Sequence, residues 1–148
     1  MSPRAEQHFQ IGKHLLTLEP PDLIRIVFHG AISPEELRRF AEIEQGIAAE
    51  VGGLFVLADA SDLGEVPRET RKELGVLGHL PLKAVALCGA SFQARVVINM
   101  TLLTQKVLLP KDALYPVSLC GTQEQGQQFL AEARAALGLP GRDDDSQG

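Results

Sequence analysis

The sequence predicts an α/β fold: a single-domain mixed sheet of about five strands, an N-terminal β-hairpin followed by repeating αβ units, and about four main helices. Three observations carry this expectation. The run Leu54-Phe55-Val56-Leu57-Ala58 is apolar without a break and stops at Asp59, as expected of a strand covered on both faces. Apolar runs and amphipathic stretches take turns on either side of it, which implies parallel pairing through right-handed crossovers. A strand–glycine–cap–helix junction occurs twice, at Leu87-Cys88-Gly89 before Ser91 and at Leu119-Cys120-Gly121 before Thr122. A chain of 148 residues is about one domain. That domain is expected over residues 1–137. Residues 138–148, with Asp143-Asp144-Asp145, are expected as a disordered acidic tail.

In chain order, residues 14–18 and 23–29 read as strands joined by the turn Glu19-Pro20-Pro21-Asp22, because proline presets the turn angle and cannot donate to a ladder. So short a link makes an antiparallel hairpin. Ile24, Ile26 and Phe28 share its core face, with Arg25 and His29 opposite. Ser33-Pro34-Glu35-Glu36 starts a helix, combining a cap, a first-turn proline and a capping box. Leu37, Phe40, Ala41, Ile47, Ala48 and Val51 form its apolar stripe up to Gly52-Gly53. Glu44 falls inside that stripe. It is expected at the core's edge, reaching water or Arg25; the alternative is a carboxyl facing an internal cavity, which would raise its pKa.

After the central strand, Glu65-Val66-Pro67 opens a helix to about residue 77, stopped by Gly78, with Val66, Thr70, Leu74 and Leu77 buried. Residues 82–88 form the next strand. A long helix follows from the Ser91 cap to about residue 109, before Pro110. The last strand spans 114–120 and is placed at a sheet edge by Pro116. Thr122 and Gln125 make a second capping box, and Phe129, Leu130, Ala133 and Leu137 line the final helix.

Composition narrows the functional classes. A net charge of −5 opposes nucleic-acid binding, which depends on neutralising phosphates. Six Phe, one Tyr and no Trp offer little for base stacking. No apolar run approaches a membrane span, so membrane contact is at most peripheral. The N-terminus lacks the apolar core of a signal peptide, and two cysteines fit a reducing cytoplasm. Cys88 and Cys120 end neighbouring strands and are expected as free thiols, with a disulfide as the alternative. No nucleophile elbow, Walker loop or dinucleotide fingerprint is present. His8, His14, His29 and His79 have no metal-ligand spacing with the cysteines, so no cofactor or metal is expected. Asp59, Ser61 and Asp62 read as turn formers rather than as an acid/base and nucleophile set.

The order of a β-hairpin followed by α-β-α-β-α-β-α resembles the STAS fold, and more narrowly the SpoIIAA-like (STAS/SEC14-domain) bacterial family. The resemblance rests on residues 26–37 (Ile26-Val27-Phe28-His29-Gly30 into Ser33-Pro34-Glu35-Glu36-Leu37), on residues 56–63, and on Ala84-Val85-Ala86-Leu87-Cys88-Gly89 leading into a helix. It covers about residues 15–137. The resemblance implies a non-enzymatic module that binds a lipid or other apolar small molecule, with possible membrane association. A protein-interaction regulator of the anti-sigma-factor-antagonist kind is the alternative, and an enzyme using Asp59 or Glu44 a second one. Relatives of the regulator kind are switched by phosphorylation of a serine in an Asp-Ser-Ser-Gly-like segment. Asp59 and Ser61 resemble its leading Asp-x-Ser, but Val66-Pro67-Arg68-Glu69-Thr70 stands where the acceptor segment would be, so a phospho-switch is not expected.

The helix at 92–109 is the least ordinary element. Phe92, Val96, Met100, Leu103 and Val107 make one stripe, expected to face the sheet, with Arg95, Asn99 and Lys106 beside it. Ala94, Val97, Ile98, Leu102 and Leu108 make the rest of the circumference apolar as well. A surface helix normally turns charge outward, so this second face needs a neighbour. Ile98 and Leu102 are expected to border a functional surface serving an apolar ligand, a protein partner in a homodimer, or a membrane, with Glu44, Asp59 and Ser61 as the further candidate ligand- or partner-binding residues.

Overall fold

A computed structural model describes residues 5–77, 81–108 and 115–140. The fold is α/β, with a mixed sheet of six strands in the order β1-β2-β3-β4-β5-β6. The strands are β1 (Gln7–Ile11), β2 (His14–Glu19), β3 (Leu23–Val27), β4 (Leu54–Asp59), β5 (Leu82–Cys88) and β6 (Val117–Cys120). The first three pair antiparallel, and β3 to β6 run parallel. Four helices, α1 (Pro34–Val51), α2 (Arg68–Leu77), α3 (Phe92–Leu108) and α4 (Gln123–Ala136), follow β3, β4, β5 and β6.

The expected five strands become six because β1 was not anticipated. Its residues Gln7-His8-Phe9-Gln10-Ile11 are mostly polar and alternate weakly, so no apolar run announces it. The signal lies in the turn instead: Gly12-Lys13 joins β1 to β2, and Gly12 takes φ +62°, the geometry that two-residue hairpins need. β4 sits inside the sheet with its first five residues buried, as its unbroken apolarity predicts. β6 is an edge, as Pro116 predicts. Cys88 and Cys120 stand opposite each other in register and are both free. Burial, and then the neighbouring Cys120, push the Cys88 thiol up to about 11.

Helix starts follow local chemistry. Ser33 Oγ accepts the Glu36 N–H at 3.1 Å while Glu36 accepts the Ser33 N–H at 2.8 Å, and Thr122 with Gln125 repeats the arrangement on α4. α2 begins at Arg68 rather than Glu65; the Pro67 carbonyl accepts its first bond, from Arg71 N–H. The expected stop at Gly78, the strand start at Leu114 and the tail at 141–148 lie outside the described residues, as do the side chains of Leu74 and Leu77. Leu139 packs against the core beside α4.

Two cores lie on opposite faces of the sheet. On one, Leu16, Leu18, Ile24, Ile26, Val56, Ala58 and Val85 meet Phe40, Ile43 and Ile47 of α1. On the other, Leu23, Phe55, Leu57, Ala84, Ala86 and Cys88 meet Leu130 of α4. Leu137, expected in the lining of α4, is instead 55% exposed just past the helix end. Arg134, which periodicity alone would send to solvent, is buried. Its guanidinium donates to Asp22 at 3.1 and 2.6 Å and lies over the Phe55 ring, tying α4 to the turn before β3. Arg25 pairs with Glu19 and not with Glu44.

Candidate functional site

The first core contains a cavity of about 210 Å³ between the sheet, α1 and α3. Its lining is almost wholly apolar, with Ile26, Val56, Ala58 and Val85 as the sheet floor, Phe40 and Ala41 from α1, and Val97, Ile98 and Leu102 from α3. Ile98 and Leu102 thus come together with Glu44, which lines the same space. Asp59 and Ser61 do not line it.

The rotation of α3 is the reverse of the expected one. Phe92 is 80% exposed and Val107 83%, and Val96, Met100 and Leu103 are exposed with them. The stripe expected on the sheet faces outward, and the Val97–Ile98–Leu102 side faces the cavity. Projection could not choose between two apolar faces of one helix. Two local features favour the observed choice. Ala94 is buried at the helix start, on the side turned away from the exposed stripe. Thr101 donates its hydroxyl to the Val97 carbonyl at 2.9 Å, so it can face apolar surroundings without an unmatched donor.

Glu44 is 5% exposed and, among the described residues, has no hydrogen-bond or ion-pair partner. It does not reach water at the core's edge. Burial pushes its carboxyl up to about 8, so near pH 7 it is mostly neutral. Tyr115 is held nearby in the same lining. Its phenol is pushed up to about 12, by burial first and by the Glu44 charge second. Thr70, another lining residue, is buried and donates to the Ile32 carbonyl at 2.7 Å, so it is already satisfied. The cavity therefore presents an apolar volume with a buried, unmatched carboxyl, and with the Tyr115 hydroxyl and the Gln105 amide in the same lining. Sequence reasoning missed Phe28, Phe40, Thr70, Gln105 and Tyr115 as lining residues. Tyr115 had a signal, as the single tyrosine set against a strand start; Phe28, Phe40 and Thr70 look like ordinary core positions, and Gln105 like a solvated helix residue.

A wider depression of about 520 Å³ adjoins the cavity, with Asn99, Leu103, Lys106 and Pro116 in its lining. It shares Leu102, Gln105, Tyr115 and Val117 with the cavity, so these side chains stand between an inner apolar space and an outer, more polar one.

Asp59 and Ser61 form a second, separate cluster at the carboxyl end of β4. Asp59 Oδ1 accepts the Ser61 N–H at 3.0 Å and the Ser61 hydroxyl at 2.6 Å. These bonds, hydroxyl first, hold the Asp59 carboxyl below its ordinary range against the effect of partial burial. A carboxylate so stabilised is a weak base at neutral pH, and its geometry is that of a loop-closing Asx turn. His29 Nδ1 lies 3.1 Å from Asp62 rather than on Ser61, so the serine has no imidazole partner. His14 is buried, accepts the His29 N–H at Nδ1 (3.0 Å), and points Nε2 at the Ala31 carbonyl (3.2 Å), which makes it a structural link between β2 and the approach to α1.

Among the described residues no group of three or more His, Cys, Asp and Glu side chains is placed to hold a metal. Among the same residues no helix is long and apolar enough to cross a membrane. Comparison of the chain with protein-family models and with curated proteins finds no match.

Proposed function

We propose that this protein is a binding module for an apolar small molecule or a lipid segment, held in the cavity beneath α3, and that it acts in the cytoplasm without catalysing a reaction. The observation that carries the reading is the pairing of a 210 Å³ apolar cavity with the unmatched Glu44 carboxyl inside it. A dry cavity of about 150 Å³ already accepts benzene, so this one holds a small ring or a short chain. Pockets of this character, apolar with a polar group of displaced pKa, are where small-molecule sites are found. The STAS/SEC14-like resemblance of residues 15–137 points to the same class. The extraction of purified protein with organic solvent, followed by mass spectrometry, tests it. A single compound near one equivalent is expected, and Ile98→Phe, which fills the cavity, should remove it while the melting temperature holds. Recovery of equal amounts from the variant defeats the reading.

A second reading, a protein-interaction regulator of the STAS kind, is favoured by the exposed apolar stripe of α3. Monomeric soluble proteins rarely expose a large contiguous apolar patch without use. Light scattering across a concentration series separates the two: a dimer that Met100→Glu dissociates supports the interaction surface, and a monomer at all concentrations opposes it.

A further inference from the structure

The cavity's chemistry is unusually one-sided. Among the described residues lining it, the single group able to carry charge near neutral pH is Glu44, and no cation faces it. Arg25 is engaged by Glu19 on the other face of the sheet, and Lys106 belongs to the outer depression rather than the inner space. Aromatic rings stand in the same wall: Phe28 and Phe40 meet edge to face with centroids 5.8 Å apart, and Tyr115 approaches the carboxyl from the β6 side. Rings attract cations through their negative faces. Two of the hydroxyls that could bind a neutral ligand are spent, Thr70 on Ile32 and Thr101 on Val97, which leaves the Tyr115 hydroxyl and the Gln105 amide in the lining beside the carboxyl.

Resting on the reading above, in which the cavity is a ligand site, we propose that its ligand is an apolar amine, bound as the ammonium with its nitrogen on Glu44 and its hydrocarbon part against Phe28, Phe40 and the α3 side chains. An anionic ligand finds no cation there. A neutral alcohol gains one hydrogen bond, whereas an ammonium gains a charge-assisted one, roughly twice as strong. Proton balance follows directly. The free site holds Glu44 largely as the acid near pH 7, since burial raises its pKa. The ammonium keeps its own proton, and the carboxyl gives up its proton to solvent as the ion pair forms. The other titratable group facing this carboxyl from the packed elements is Tyr115, whose phenol stays neutral in this range; β3, α2, α3, β4 and β5 contribute no other to the described lining.

The test uses the full chain and three probes of one frame: benzylamine, benzyl alcohol and benzoate. Calorimetric titrations at pH 7 in two buffers of different ionisation enthalpy give affinity and proton count together. Benzylamine is expected to bind about tenfold or more tightly than benzyl alcohol, with release of close to one proton per site; benzoate should be the weakest. Glu44→Gln, which keeps the shape of the neutral acid, should erase the amine's advantage and its proton release while leaving benzyl alcohol within about threefold. Equal or tighter binding of benzyl alcohol by the parent, without proton release, overturns the amine assignment and leaves the apolar site standing. An amine preference that survives Glu44→Gln overturns it too. Failure of all three probes to bind defeats the ligand-site reading itself.

Discussion

On one face of the sheet α4 lies so close that a Cβ added at Gly126 would come within 2.6 Å of Cys88 Sγ and 2.7 Å of a Leu57 methyl. The charge buried there, on Arg134, is matched by both oxygens of Asp22. On the opposite face α1, α2 and α3 leave a cavity of about 210 Å³ and a buried carboxyl with no described partner. The same chain thus closes one face to contact and leaves the other incomplete. Poor packing ability does not account for it, because β4 supplies both faces: Phe55 and Leu57 pack tightly on one, Val56 and Ala58 floor the cavity on the other. The difference separates a face packed to contact from one that leaves space beside a buried carboxyl.

The sharpest way to break the comparison is to attack the closed face. Arg134→Ala leaves Asp22 buried without its partner and uncovers the Phe55 ring. A loss of about 3–5 kcal/mol in denaturant unfolding is expected, since removing one member of a buried pair strands the other charge. A loss below about 1 kcal/mol would mean the pair does not clamp that face.

The incomplete face is read through pH. Glu44 has a folded pKa near 8 against about 4.5 unfolded, so between these values the folded state binds more protons than the unfolded one. Its stabilising contribution is complete below about pH 4.5 and is lost as pH rises through 8, by up to about 1.4 kcal/mol per pH unit. Unfolding curves of Glu44→Gln should lack this component, making the variant increasingly more stable than the parent toward pH 8. Parallel pH profiles for the two proteins would show that the carboxyl is solvated.

The smallest effect is expected on the outer side of α3. Phe92→Ser and Val107→Ser remove side chains that already stand in water, and each should change monomer stability by no more than about 0.5 kcal/mol. A loss above about 2 kcal/mol would put this stripe in the core and restore the opposite rotation of the helix.

What the sequence determined by itself is what neighbouring residues decide. Ser33 with Glu36 and Thr122 with Gln125 close their capping boxes within a few residues, so the starts of α1 and α4 were legible. The unbroken apolarity of Leu54 to Ala58 placed β4 inside the sheet, because only a doubly covered strand tolerates it. Glu44 stood out as a carboxylate in an apolar stripe, and Ile98 and Leu102 as members of a helix with one apolar face too many. Tertiary structure decided the rest. Arg134 is buried because Asp22, 112 residues away, meets it beside Phe55, and no local pattern contains that pairing. β1 exists because β2 offers it a ladder. α3 could bury either of two faces at similar hydrophobic gain; in the fold it turns the side of Ala94, Val97, Ile98 and Leu102 inward and leaves the stripe from Phe92 to Val107 outside. Hydrophobic burial has no direction of its own, so periodicity counts the apolar faces of a helix, and only the packed neighbours choose between them.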